Sequence, residues 1–99
     1  MKRRKVVIAP EALHDLLDLY DWIAHRTEAE IAASYLARIE AFCLGFDVAS
    51  ERGQLRDDIR PGLRVIGFER RITVAFTTDE QQVTVLRLFY GGQDWETKL

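Results

Sequence analysis

Three strand-like runs follow one another so closely near the end of the chain that only antiparallel hairpins can join them. The runs cover residues 63–68, 71–77 and 82–90, and the links between them are two and four residues long. Parallel strands would need a crossover of about a dozen residues or more. The third run is apolar on both faces, which is typical of a central strand. The sequence therefore predicts a three-stranded antiparallel meander.

A short strand and two helices are predicted ahead of the meander. The strand covers residues 5–8, and Pro10 followed by Glu11 is typical of a first helical turn. The Thr-Glu-Ala-Glu sequence at residues 27–30 matches a capping box, which predicts that a second helix starts at once. Two helices joined by so short a turn are expected to form an antiparallel hairpin. The predicted apolar faces are Leu13, Leu16, Leu17, Tyr20, Ile23 and Ala24 on the first helix, and Ala32, Tyr35, Leu36, Ile39, Phe42, Cys43 and Phe46 on the second.

These elements predict one α+β domain over residues 1–99, with the helices on one face of the sheet. No apolar run reaches the roughly 20 residues that cross a bilayer. The apolar stretch at residues 6–9 ends at Pro10, which is too short for a signal-peptide core. The single cysteine, Cys43, lies in a helical apolar stripe, as expected of a packed thiol in a reducing compartment. We therefore expect a cytoplasmic protein without a membrane segment.

Charge is unevenly distributed along the chain. Residues 10–50 contain eight acidic residues and two arginines, whereas residues 52–71 contain six arginines and three acidic residues. Such a bipolar pattern indicates either a surface that meets an anionic or acidic partner, or ordinary solvated charge.

Several kinds of chemistry have no support in the sequence. His14 and His25 are three helical turns apart, roughly 16 Å, which is too far for one metal ion. The glycines match neither a phosphate loop nor a dinucleotide fingerprint, and no serine lies in a nucleophile elbow. We therefore predict no metal and no cofactor.

An arginine–aromatic set remains as the candidate contact surface for a target. Its members are Arg60, Arg64, Arg87, Tyr90 and Trp95. Arginine binds phosphates and carboxylates, and aromatic rings stack on bases. Tyr90 is the one plausible proton carrier, and an unperturbed tyrosine with a pKa near about 10 is a poor base. The alternative for Arg64 and Arg87 is a structural ion pair with a carboxylate at position 57, 58 or 94.

A second candidate surface involves the helices. Trp22 falls on the polar side of the first helix, where a partner chain could contact it or a loop or the C-terminus could cover it. The second helix carries a further stripe of Ala33, Ala37, Leu44 and Val48. Small residues in this stripe would allow close approach of a partner element. We predict partner contacts at Trp22, Ala33, Ala37 and Leu44.

The order of several short motifs resembles the RelE/ParE superfamily of type II toxins. The motifs are Pro10-Glu11-Ala12 with Asp15-Leu16, Tyr20-Asp21-Trp22-Ile23-Ala24, Ala33 with Tyr35, Gly62-Leu63-Arg64, and Val85-Leu86-Arg87-Leu88-Phe89-Tyr90. The resemblance implies the same architecture of strand, hairpin and meander. It also implies a hetero-oligomer with a cognate antitoxin, of the ParD-like type with a ribbon-helix-helix DNA-binding module, and the partner contacts above would then bind the antitoxin.

The resemblance leaves two branches to weigh. A RelE-like member would be a ribosome-dependent mRNA endoribonuclease, with Arg64, Arg87 and Tyr90 as its catalytic residues. This chain has no lysine between Lys5 and Lys98, and its ending at residues 89–96 is acidic, which resembles ParE-like sequences. ParE-like toxins poison DNA gyrase without acting as nucleases. We therefore favour a ParE-like toxin with no catalytic residues, whose target contacts are Arg60, Arg64, Arg87 and Trp95.

Overall fold

The helices and strands begin and end close to the predicted residues. A computed structural model describes residues 3–48, 51–91 and 95–99 of the protein. Its elements are β1 (Lys5–Ile8), α1 (Pro10–Arg26), α2 (Ala29–Leu44), β2 (Gln54–Leu55), β3 (Arg64–Phe68), β4 (Ile72–Thr78) and β5 (Gln82–Tyr90), with 3-10 turns at Gly45–Asp47 and Trp95–Thr97. The predicted α+β class is confirmed.

Within the described ranges, the sheet has five strands in the order β1-β5-β4-β3-β2. Strands β3, β4 and β5 form the predicted antiparallel meander. Strand β1 pairs in parallel with the first half of β5, from Lys5 opposite Gln82 to Ile8 opposite Val85, and the connection between them contains the helical hairpin and β2 to β4. Strand β2 lies at the other edge, within a segment predicted as a loop. Two residues are too few to show the alternation that identifies a strand.

The β3–β4 hairpin turns in two residues that both adopt left-handed backbone conformations. Glu69 has φ 50° and Arg70 has φ 62°. Such turns match the twist of the flanking strands, although residues other than glycine adopt them at a cost. Arg38 on α2 donates to both carboxylate oxygens of Glu69, at 3.1 and 3.2 Å, which ties this turn to the helical hairpin.

The sheet separates a main core from a smaller one. The main core lies between the helices and the sheet and includes Ile39, Phe46, Val74 and Phe76. The smaller core, on the opposite face, comprises Leu63, Val65, Ala75 and Phe89, with Ile59, Leu86, Trp95 and Leu99 packed around them. Strand β5 supplies buried residues to both cores, as predicted for the run that is apolar on both faces. A bulge at Ala75/Phe76 shifts its pairing with β4.

The apolar face predicted for α1 is wrong at one edge. The buried residues are Ala12, Leu19 and Ile23, whereas Leu13 and Leu17 are 52% and 63% exposed. The helix is therefore turned so that this leucine edge faces outward. The apolar residues of α1 span a broad arc, and periodicity alone does not select which part of the arc meets the sheet. The buried face predicted for α2 is confirmed at Ala32, Ile39, Cys43 and Phe46.

The capping box predicted at residues 27–30 is also wrong. Glu28 is the N-cap of α2 and makes no side-chain cap hydrogen bond. Thr27 instead ends α1, because its backbone N–H and its hydroxyl both donate to the carbonyl oxygen of Ile23, each at 2.9 Å. Its side chain is therefore engaged with the helix that precedes it.

One carboxylate joins α1 to the free part of β5. Because β1 pairs with β5 only as far as Val85, the backbone of Leu88 faces no strand of the described part of the chain on that side. Asp15 accepts hydrogen bonds there from the Leu88 backbone N–H at 2.9 Å and from Arg87 Nε and Nη2 at 2.7 and 3.0 Å. The side chains of Asp15 and Arg87 are only 12% and 29% exposed. The hydrogen bonds that Arg87 donates to Asp15 raise the pKa of the Arg87 guanidinium.

Replacing Asp15 with asparagine should destabilise the fold. The amide keeps the shape but leaves a half-buried arginine without a counter-charge, so we expect a loss of about 2 kcal/mol in the free energy of unfolding. Urea titration followed by circular dichroism measures this value. Asp18→Asn is the matched control, because Asp18 lies on the same helix with a 55% exposed side chain. That variant should change the unfolding free energy by less than about 0.5 kcal/mol, and equal effects of the two changes would contradict the assigned role of Asp15.

Cys43 should be unreactive while the protein is folded. Its side chain is 2% exposed, and burial, aided by Glu40, raises the pKa of the thiol from 9.0 to about 11. Between these values the folded state keeps a proton that the unfolded state has lost. The resulting stabilisation is complete below pH 9 and decreases as the pH rises toward 11. Thiol titration with Ellman's reagent at pH 8 should be far slower for the native protein than in guanidinium, and equal rates would refute the assignment.

Candidate functional site

Arg87, the arginine predicted within β5, has a structural role. Arg87 forms an ion pair within the fold, as the structural alternative predicted. Its partner, however, is Asp15 on α1 rather than Asp57 or Asp58, so the predicted carboxylates at those two positions are wrong. Position 94, the third predicted partner, lies outside the described residues. The Arg87 guanidinium also stands 4.9 Å from the centre of the Phe89 ring. The side chain is therefore committed on two sides and offers a target little free surface.

The three residues of the nuclease alternative do not converge. Arg64 is opposite Phe76 on β4, whereas Tyr90 is opposite Ile72 on the other side of that strand. These positions on β4 are four residues apart, or about 13 Å along the strand. Arg64 Nη1 is directed instead at the carbonyl oxygen of Arg52, at 3.5 Å. The arrangement brings no arginine pair and tyrosine around a common point.

The two remaining target candidates have different surroundings. Arg60 is exposed in the connection between β2 and β3. Trp95 is half-buried against the smaller core, and the Arg56 guanidinium stands 5.3 Å from its ring. Arg56 also pairs with Asp58 at 2.9 Å and with Glu96 at 3.4 Å, so it fastens the Trp95–Thr97 turn. Trp95 therefore has a structural role, whereas Arg60 and the half-buried Arg64 keep free surface.

A groove of about 490 Å³ lies where α1, the start of α2, the β3–β4 turn and the end of β5 meet. Its floor is apolar, with Leu19, Ile23 and Ile72. The walls are formed by the aromatic residues Trp22, Tyr35 and Tyr90, and the rim carries Arg26, Arg70 and Arg71. We call it the arginine-rimmed groove. Of the residues in this groove, the sequence indicated only Trp22 and Tyr90 as candidate contact residues. The groove itself could not be predicted, because residues from four separate segments form it.

Trp22 is a wall of this groove and is partly covered. Its ring centre is 5.5 Å from that of Tyr90, and the Arg26 guanidinium lies 4.2 Å from the ring. Its exposed fraction is 37%. These contacts of Trp22 therefore come from β5 and from α1 itself rather than from a loop or the C-terminus, and part of the indole stays exposed.

The other predicted partner contacts lie on a different surface. Ala33, Ala37 and Leu44 are exposed along one side of α2, roughly 100–140° from the buried Ala32 at about 100° per residue. Leu13 and Leu17 have the corresponding position on the antiparallel α1. The two stripes meet along the outer surface of the helical hairpin, which we call the hairpin groove. Trp22 is on the opposite side of α1, so the four predicted contacts belong to two surfaces.

The part of the chain that the structure describes contains no cluster of three or more histidine, cysteine, aspartate or glutamate side chains suited to a metal ion. His14 and His25 are exposed, as predicted. His14 stands 3.9 Å from Asp18, and His25 Nδ1 is 2.7 Å from the Asp21 carbonyl oxygen. Among the described residues, no helix combines the length and apolar character that a membrane crossing needs.

The fold is similar to that of two solved toxin–antitoxin structures. One is the chromosomal ParDE system from P. aeruginosa, with a TM-score of 0.78 at 20% identity over 89% of this chain and 96% of that one. The other is the RelBE2 complex from Mycobacterium tuberculosis, with a TM-score of 0.69 at 18% identity over 94% of this chain and 97% of that one. At these identities the similarity establishes the fold alone.

Sequence comparison identifies the family. No curated protein sequence matches the chain significantly. The family profile described as ParE toxin of type II toxin-antitoxin system, parDE, matches residues 6–95, which is nearly the whole chain. The motifs that resemble the RelE/ParE superfamily all lie within the matched residues. This chain belongs to the ParE toxin family of type II toxin–antitoxin systems.

Proposed function

We propose that the protein inhibits DNA gyrase as a binding toxin and is held inactive in a hetero-oligomer with a cognate antitoxin. The observation that carries the proposal is the use of Arg87 inside the fold. An endoribonuclease needs cationic groups aimed at the scissile phosphate and a proton carrier beside them. Here Asp15 holds Arg87 at 2.7 Å, while Arg64 and Tyr90 are on different strands with β4 between them. The family match supports the same conclusion.

The exposed basic edge near β2 and β3 is the best candidate for the gyrase contact. Arg60 is exposed and Arg64 is half-buried, and neither forms an ion pair within the described residues. Guanidinium groups that lack an internal ion pair suit carboxylates of a protein or phosphates of DNA held by gyrase. Arg87 and Trp95 are weaker candidates, because both are engaged within the fold.

The hairpin groove is the proposed principal antitoxin contact. Leu13, Leu17 and Leu44 are between 49% and 63% exposed there, beside Ala33 and Ala37. A row of small residues flanked by leucines allows an amphipathic helix to lie close to both helices. By resemblance to its family, the antitoxin would be ParD-like, with a ribbon-helix-helix module that binds DNA.

The gyrase proposal predicts a specific loss of inhibition when the charge of Arg60 is reversed or that of Arg64 is removed. The wild-type chain added to gyrase and plasmid DNA should abolish supercoiling and accumulate linear, gyrase-linked DNA. Arg60→Glu and Arg64→Gln should each weaken this inhibition about tenfold, equivalent to about 1.4 kcal/mol of binding free energy. Lys5→Glu is the matched control, because Lys5 is an exposed cation at the opposite edge of the sheet. Normal supercoiling together with cleavage of ribosome-bound mRNA would refute the proposal in favour of a RelE-like nuclease.

The antitoxin proposal predicts that a carboxylate in the hairpin groove disrupts the complex. Ala37→Glu places a charge where an apolar helix face should dock, so the dissociation constant should rise at least tenfold in calorimetry. Ser34→Glu introduces the same group on the same helix outside the stripe and should change the affinity little. Circular dichroism should show that both variants are folded. Equal affinity of the Ala37→Glu variant and the wild type would exclude this surface.

A further inference from the structure

We propose that the arginine-rimmed groove binds an acidic segment of the antitoxin that carries an apolar anchor side chain. The identity of the partner rests on the proposed function, whereas the chemistry of the segment follows from the groove itself. This contact is separate from the hairpin groove. It assigns functions to Arg26, Arg70 and Arg71, which the sequence did not indicate.

The charge of the rim defines the partner. Among the described residues, no carboxylate forms an ion pair with Arg26, Arg70 or Arg71, whereas Arg38, Arg56 and Arg87 are all paired. The chain as a whole carries a net charge of −2, so three unpaired arginines around one concave surface are a local reversal of sign. Guanidinium groups bind carboxylates with charge-assisted hydrogen bonds. The rim therefore favours an acidic segment.

The floor and walls define the anchor. Leu19, Ile23 and Ile72 form an apolar floor that suits a leucine, isoleucine or phenylalanine side chain. The Trp22 ring is already contacted by Arg26 and Tyr90, which leaves it poorly placed to stack on a nucleobase. The groove thus combines an apolar cavity with a cationic rim, and this combination fits a peptide better than a nucleotide.

An unsatisfied hydroxyl in the wall supports a polar occupant. Tyr35 Oη is buried and has no hydrogen-bond partner within the described residues. Burial is the main cause that raises the pKa of this phenol, so the group keeps its proton and remains a donor. A carboxylate or carbonyl oxygen in the groove would give it an acceptor after a small side-chain movement. A buried donor without a partner is costly, and binding would remove this cost.

The rim is held in place before any partner arrives. Arg70 occupies a left-handed position in the two-residue β3–β4 turn, with Arg71 next to it. Glu69, the other residue of the turn, is held by the two hydrogen bonds from Arg38. Arg26 is held over Trp22 and donates to its carbonyl oxygen at 3.4 Å. Binding therefore requires little further ordering of the backbone that carries the charges.

Three labelled peptides of about twelve residues test the charge preference on the full-length chain by fluorescence anisotropy. All three carry leucine and phenylalanine at the same positions, and the remaining positions are glutamate, glutamine or lysine. The glutamate peptide should bind at least tenfold more tightly than the glutamine peptide, and the lysine peptide should bind most weakly. Equal binding of the three peptides, binding of none, or displacement by a dodecathymidine oligonucleotide would overturn the proposal.

Variants show whether the groove is the binding site. Arg71→Glu and, independently, Arg26→Glu should weaken binding of the glutamate peptide at least tenfold and favour the lysine peptide. Tyr35→Phe should leave the melting temperature of the free chain equal or higher while it lowers affinity for the glutamate peptide several-fold. Arg60→Glu is the matched control, because it reverses an exposed arginine outside the groove. Retained affinity in the Arg71→Glu and Arg26→Glu variants would overturn the assignment.

A crossed measurement separates this proposal from the gyrase proposal. Arg71→Glu should lose peptide binding and keep gyrase inhibition, whereas Arg60→Glu should lose gyrase inhibition and keep peptide binding. If the wild type binds the glutamate peptide without inhibiting gyrase, the target assignment fails and the groove assignment stands. If it inhibits gyrase and shows no peptide preference, the groove assignment fails and the target assignment stands.

Discussion

The carboxylate of Asp15 fixes how the helices lie on the sheet. It accepts from both Arg87 and the Leu88 backbone N–H, at the point where β1 no longer pairs with β5. A half-buried cation and an unpaired strand edge are thereby satisfied by one residue. Seven residues later, or about two helical turns, Trp22 lies on the same side of α1 and meets Tyr90 on β5. The same contact that closes the sheet edge therefore also positions a wall of the arginine-rimmed groove.

Features set by nearby residues were predictable from the sequence, and features set by distant ones were not. The meander follows from links of two and four residues, and the buried face of α2 follows from its periodicity. The partner of Arg87 is 72 residues away, so no local pattern identifies Asp15. The observed rotation of α1 places Asp15 against β5 and leaves Leu13 and Leu17 exposed, and periodicity alone does not select this orientation. Arg70 falls in a short link of the sequence and Arg71 at the start of the next strand-like run, so local pattern indicates no contact role for either residue.

The arginines discussed above form two groups, those that pair with a carboxylate inside the fold and those that do not. Arg38, Arg56 and Arg87 each stabilise a junction: helix to turn, loop to C-terminal turn, and helix to strand. Such side chains are poor ligands for a partner, because binding would first have to break an internal pair. Arg26, Arg70 and Arg71 have no such pair among the described residues and surround one groove. Counting charges along the sequence cannot separate these two groups.

The two candidate antitoxin surfaces constrain how neutralisation can work. Leu13 and Leu17 lie on one side of α1 and Trp22 on the other, about 140–180° around the helix at 100° per residue. One straight helix cannot contact both, so an antitoxin that uses both needs two segments joined by a chain that passes around α1. Linking two weak contacts in this way raises the effective concentration of the second. An acidic segment for the arginine-rimmed groove and an apolar helix for the hairpin groove would then give tight binding without either contact being strong.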